Sequence, residues 1–140
     1  MTIAKKDLYG TWMLRSWMAT AQEHEQFQAF WSGVHGQLIY TIDGQMSVIL
    51  IHPGWESTGI APEQGFREGV IVYGGLYTVV PDFIEHHIQH TNIRSWIGQT
   101  LKRQASLQDG ALILTTPVTQ DTQGKSAIHR LTWVRPDSNC

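Results

Sequence analysis

The chain has 140 residues, of which 41% are hydrophobic and 16% charged, with a formal net charge of −2 and a single cysteine, Cys140. That length suits one domain with a core of its own, burying roughly 68% of the surface that the unfolded chain exposes, and the charged share lies below the usual ~25%. The balance lacks the basic face that a nucleic-acid partner needs, one cysteine cannot build a disulfide framework, and no apolar run approaches the ~18 residues of a membrane span. Residues Met1 to Asp7 contain no apolar signal core, so one domain over residues 1–140 and a cytoplasmic location are the expectation.

In chain order, Ile3 to Tyr9 reads as a short helix with Thr2 as its N-cap. Gly10 to Thr20 reads as a long strand, with Trp12, Leu14, Ser16 and Met18 on one face and Met13, Arg15 and Trp17 on the other. Phe27 to Trp31 is a candidate second strand. Gly36–Thr41 and Gln45–Ile51 flank Asp43-Gly44, a strong hairpin signal. Residues 52–69 break the rhythm with Pro53, Gly54, Gly59, Pro62, Gly65 and Gly69. Pro62 fits a first helical turn, so Ala61 to Val72 is a candidate short helix lying across a barrel mouth. Pro81-Asp82 separates strands Tyr73–Val80 and Phe83–Ile93. Asp109-Gly110 joins Gly98–Leu107 to Ala111–Thr116, and Lys125 to Arg135 is the last strand. Eight or nine strands linked mostly by short turns form a meander, and closure into an all-β, antiparallel up-and-down barrel removes its edges.

Gly10-Thr11-Trp12 resembles the G-x-W signature on the first strand of lipocalins. Residues Gly36 to Ser47, GQLIYTIDGQMS, resemble a stretch shared by a bacterial and fungal lipocalin-like domain family. Tyr73-Gly74-Gly75-Leu76-Tyr77, Glu85-His86-His87, Trp96-Ile97-Gly98, Arg103 and the closing HRLTWVR of His129 to Arg135 follow in that family's order. The resemblance spans nearly the whole chain. It implies a calycin-type barrel around a cavity and does not imply one activity. Some relatives of this general kind act as cyclases or isomerases in natural-product pathways. In lipocalins the Trp matching Trp12 packs under a basic residue of the last strand, a part open here to Arg130 or Arg135.

Placing Pro81-Asp82 at a hairpin tip pairs Val79 with Ile84, Tyr77 with His86, Gly75 with Ile88 and Tyr73 with His90, all on the inner face. A three-residue loop would turn His87 inward instead. Leu107 pairs with Leu112 and Ala105 with Leu114, which brings Arg103 to the same face; His129, Leu131 and Trp133 share a face of the last strand. The candidate ligand-binding residues are therefore Tyr40, Tyr73, Tyr77 and His86, together with His90, Arg103, His129 and Trp133. An inward Arg103 calls for a carboxylate partner or an anionic ligand group.

His86 and His90 on one strand stand about 13 Å apart, far beyond shared metal-ligand distances of about 2 Å. No metal and no cofactor is expected, and neither a nucleophile motif nor a phosphate loop is present. The leading reading is binding of a small hydrophobic or amphipathic molecule in the barrel cavity. One alternative is a cofactor-independent cyclase or isomerase in which His86 and Tyr77 hold or move protons. Another is a structural or oligomerising barrel filled by its own side chains. A homodimer is left open.

Overall fold

Period-2 runs pair with their sequence neighbours wherever a tight turn joins them, and the computed structural model follows that rule almost throughout. It describes residues 3–20, 26–29, 33–54, 69–120 and 126–136. Among these are ten strands: β1 (Gly10–Thr20), β2 (Gln28–Ala29), β3 (His35–Tyr40), β4 (Gln45–Ile51), β5 (Val70–Val80), β6 (Phe83–Thr91), β7 (Thr100–Gln108), β8 (Ala111–Thr115), β9 (Thr119–Gln120) and β10 (Ser126–Val134). Eight of them are antiparallel neighbours in the order β1-β3-β4-β5-β6-β7-β8-β10, and β10 pairs back onto β1 to close the barrel. The two-residue strands β2 and β9 are outliers hydrogen-bonded to β1 and β10. No helix among the described residues is long and apolar enough to cross a membrane.

Turn chemistry fixes the hairpins. Asp109 and Gly110 both take positive φ, 53° and 81°, as a two-residue type I′ turn requires. At Pro81-Asp82 only the second residue does, with Asp82 at 66°, the pattern of a type II turn with proline in first place. Val80 therefore faces Phe83 directly, and the parity that sends His86 inward is kept. The Asp43-Gly44 hairpin closes as a three-residue loop: the Thr41 N–H donates to the Gln45 carbonyl at 2.9 Å, and Gly44 takes φ 92°. Strand direction puts all three of these hairpins at one end of the barrel. The fully described connection 92–99 lies at the other.

The hairpin end is closed. Residues Lys5–Asp7 form a single 3-10 turn, shorter than the expected helix; it starts at Ala4, whose N–H donates to Asp7 Oδ2 at 3.0 Å, and Thr2 lies outside the described residues. Leu8, fully buried, follows this turn and accepts the Trp12 Nε1–H at 2.9 Å on its carbonyl. Arg135 takes the basic role: its guanidinium lies 3.7 Å over the Trp12 ring and donates to the Asp7 and Thr11 carbonyls. Arg130 stacks on Phe27 instead, at 3.9 Å.

Several expectations change. The candidate helix over 61–72 is strand from Val70 onward, in register with β4, while residues 61–68 lie outside the described residues. Of the second strand expected over Phe27 to Trp31, Gln28–Ala29 is strand, and Phe30 and Trp31 lie outside the described residues, as does Lys125. The first strand carries a bulge: Leu14 pairs with Trp133 and Ser16 with Thr132, leaving Arg15 unpaired between them. An extra residue inverts the alternation beyond it. Trp12 and Trp17, expected on opposite faces, are thus both buried, at 2% and 5% exposure.

Candidate functional site

The inner face divides into two regions. Towards the closed end, Trp12, Leu38, Tyr40, Ile84, Leu112 and Trp133 are fully buried against one another. Higher up, on strands β1, β7 and β10, the inward positions Leu14, Leu101, Arg103, His129 and Leu131 stay only half-buried. Register identifies their direction: Leu101 pairs with His86, Arg103 with Ile84, and Leu131 with Leu114, each partner a buried inner residue. These five side chains point inward yet are covered less completely than the layer below them, the three leucines packing against that layer's edge.

At the junction of the two regions sits His86, on β6 and fully buried. The Tyr40 hydroxyl, from β3 across the barrel, lies 2.7 Å from His86 Nε2. The Tyr73 hydroxyl, from β5, lies 3.3 Å from Nδ1. Burial, reinforced by the charge of Arg103 and by neighbouring His87, lowers the His86 pKa to about 3. The ring is therefore neutral near pH 7, with one N–H and one bare nitrogen. Only one of the two phenols can donate to it; the other must accept. Tyr40 is held protonated well above its ordinary range, first by burial and then by the Tyr73 and Tyr77 phenols, against the opposing pull of Arg103. Tyr73 is likewise raised by burial, while the charge of Arg103 and a hydrogen bond from its side chain act the other way.

His129, on β10, closes the set from the far wall. Burial and the Arg103 charge lower its pKa to about 4. Trp17 Nε1–H donates to its Nδ1 at 2.9 Å, and an indole nitrogen can only donate, so the neutral imidazole carries its hydrogen on Nε2. Trp96, in a 3-10 turn over Arg94–Trp96 at the end opposite the hairpins, sets its ring edge-on to Tyr73 with centroids 5.6 Å apart.

Of the eight expected site residues, Tyr40, Tyr73, His86, Arg103 and His129 converge. Tyr77 and Trp133 face inward but lower down: Tyr77 donates its hydroxyl to the Thr41 carbonyl at 2.8 Å and stacks near Tyr40, 4.7 Å between centroids. His86 thus makes its hydrogen bonds to Tyr40 and Tyr73, and the pairing of His86 with Tyr77 that a proton-shuttling enzyme would use is one of backbone register alone. A base held near pKa 3 and phenols held above their usual range are also poor proton carriers near pH 7.

His90 is corrected outright. Gly74 pairs with His90 and Gly75 with Ile88, so Gln89 is an extra residue on β6. Beyond it the alternation inverts, Thr91 pairs with inward-facing Tyr73, and His90 is exposed on the outer wall. His87 is also on the outside, where it bonds the Thr78 and Thr100 hydroxyls, so the three histidines do not meet. Sequence reasoning missed Trp17 and Trp96; an aromatic two positions past a bulge gives no sign of the change of face.

Set against models of known protein families, residues 9–136 match that of a lipocalin-like domain. No curated protein matches the chain.

Proposed function

We propose, because the chain belongs to the lipocalin-like domain family, that it binds a small hydrophobic or amphipathic molecule inside its barrel. The observation that carries this is the incomplete burial of the inner wall formed by Leu14, Leu101, Arg103, His129 and Leu131, above a layer that is packed shut. An apolar hollow with a few convergent polar groups is the usual form of a small-molecule site. The apolar body of the ligand would lie against Leu131, Leu101 and Trp17, and its polar end against the cluster around His86.

Two measurements test this. Native mass spectrometry of the purified chain, compared with its denatured mass, is expected to reveal a co-purifying small molecule or an empty chain that takes one up. Nile red, a neutral apolar probe, is expected to bind saturably, and Leu131→Trp, which fills the hollow, is expected to weaken it by roughly tenfold or more, about 1.4 kcal/mol, with little change in melting temperature. No adduct together with no saturable probe binding would return the barrel to the filled, structural reading.

A further inference from the structure

We infer that the polar end of the ligand is a singly charged carboxylate, held by Arg103 and by a phenolic hydrogen that the Tyr40–His86–Tyr73 chain has no use for. This rests on the binding function proposed above and specifies the class of molecule.

Arg103 sits on the inner face opposite Ile84. Among the described residues, its side chain donates to the carbonyl of its own neighbour Lys102, at 3.4 Å and in an exposed setting. Among the described residues no carboxylate pairs with it, and the described acidic residues lie elsewhere: Asp7, Asp43, Asp82 and Asp109 are exposed, and Glu85 alternates with inward Ile84 and His86. A guanidinium cannot shed its charge. Its field reaches Tyr40 on β3, Tyr73 on β5, His86 on β6 and His129 on β10. A half-buried guanidinium on the inner face, with no carboxylate beside it among the described residues, is a ready partner for an anion.

The hydrogen count points the same way. Two contacts join three groups: Tyr40 to His86 and His86 to Tyr73. The neutral histidine supplies one hydrogen and the phenols one each, three in all for two bonds. Whichever phenol donates to the ring, the other keeps its hydrogen for an acceptor that no described residue provides; Arg103, being only a donor, is not that acceptor. Arginine and the spare phenol both offer hydrogen, so the matching ligand offers oxygen lone pairs. One cation calls for one negative charge. The planar guanidinium fork matches the two oxygens of a carboxylate, and the apolar wall beside it suits a hydrocarbon or aromatic body rather than a multiply charged one.

The test is displacement of Nile red from the full chain at neutral pH by matched pairs: dodecanoate against dodecanol, and naphthylacetate against naphthylethanol. At least one acid is expected to bind about tenfold or more tightly than its alcohol. In Arg103→Gln the acid-over-alcohol preference should shrink to about twofold or less, and Tyr73→Phe, which keeps the charge, should lower it by only a few fold. Alcohols binding as well as acids to the native chain, or a preference that survives Arg103→Gln, would overturn the carboxylate assignment and leave the pocket standing. If Arg103→Gln does not fold, the acid–alcohol comparison in the native chain decides alone. Failure of Nile red and of both pairs to bind at all would instead remove the pocket, and the head-group assignment with it.

Discussion

Gly75→Ala is expected to destabilise the barrel by about 4 kcal/mol, the upper end of what single substitutions do. A Cβ built on Gly75 would stand 1.9 Å from the carbonyl oxygen of His87, and that atom belongs to the backbone of the paired strand. No rotamer change can relieve such an overlap; β5 and β6 must separate, or the bulge at Gln89 must move. Either response disturbs His86, which lies one residue from His87 and is held from both sides by Tyr40 and Tyr73. Urea denaturation with an unchanged m-value would read the loss directly. Gly74→Ala is the control, since a Cβ there would meet the Met46 carbonyl at 3.0 Å and needs only a small adjustment. Equal and small losses for the two variants would mean that the strands do not approach as described.

Acid should unfold the protein earlier than its exposed carboxylates alone would dictate. The folded state holds His86 at a pKa of about 3 and His129 at about 4, whereas the unfolded chain titrates both near 6.5. Below that value the unfolded state therefore binds more protons than the folded one, and stability falls with falling pH until the folded values are reached. Above about pH 6.5 both states are neutral at these positions and the contribution is flat. His86 by itself is expected to remove about 3 kcal/mol between pH 6.5 and pH 4, at about 1.4 kcal/mol for each unit; His129, less deeply buried, adds a smaller amount in the same window. The groups facing His86 are Tyr40, Tyr73 and Arg103, none of which changes charge there, so the slope above pH 5 belongs to the histidines. Urea midpoints at a series of pH values would measure it. His86→Phe should flatten the dependence while lowering stability at neutral pH, because it leaves both phenols without their partner. A native protein equally stable at pH 6.5 and pH 5 would show that His86 is not held neutral.

The barrel was legible wherever a local rule governs it. Asp109-Gly110, Asp43-Gly44 and Pro81-Asp82 each mark a hairpin, and the parity through Pro81-Asp82 places His86 inside. Trp12 and the last-strand arginines identify the closed end, although only the folded chain shows that Arg135, not Arg130, covers the indole. What alternation could not reveal are the two bulges. One unpaired residue, Arg15 in β1 or Gln89 in β6, leaves the hydrophobic pattern readable and yet reverses every side chain after it. Trp17 and His90 changed faces for that reason. The site itself was half legible: pairing along the sheet linked His86 with Tyr77, but the hydroxyl that reaches it at 2.7 Å comes from Tyr40, across the hollow. Pairing rules describe neighbours within a sheet and are silent about which side chains meet when it closes on itself.

That closure has a cost in time. Each hairpin in the meander joins residues a few places apart, whereas the β1–β10 seam unites positions such as Trp17 and His129, 112 residues distant in sequence. Contacts so remote form late, because the whole intervening chain must first be ordered. Pulse-labelled hydrogen exchange should find the seam amides of β1 and β10 protected last. Until they are, each molecule carries two unpaired strand edges that another copy can satisfy as readily as its own. Folding yield should accordingly fall as protein concentration rises, a hazard that disappears once the ring is shut.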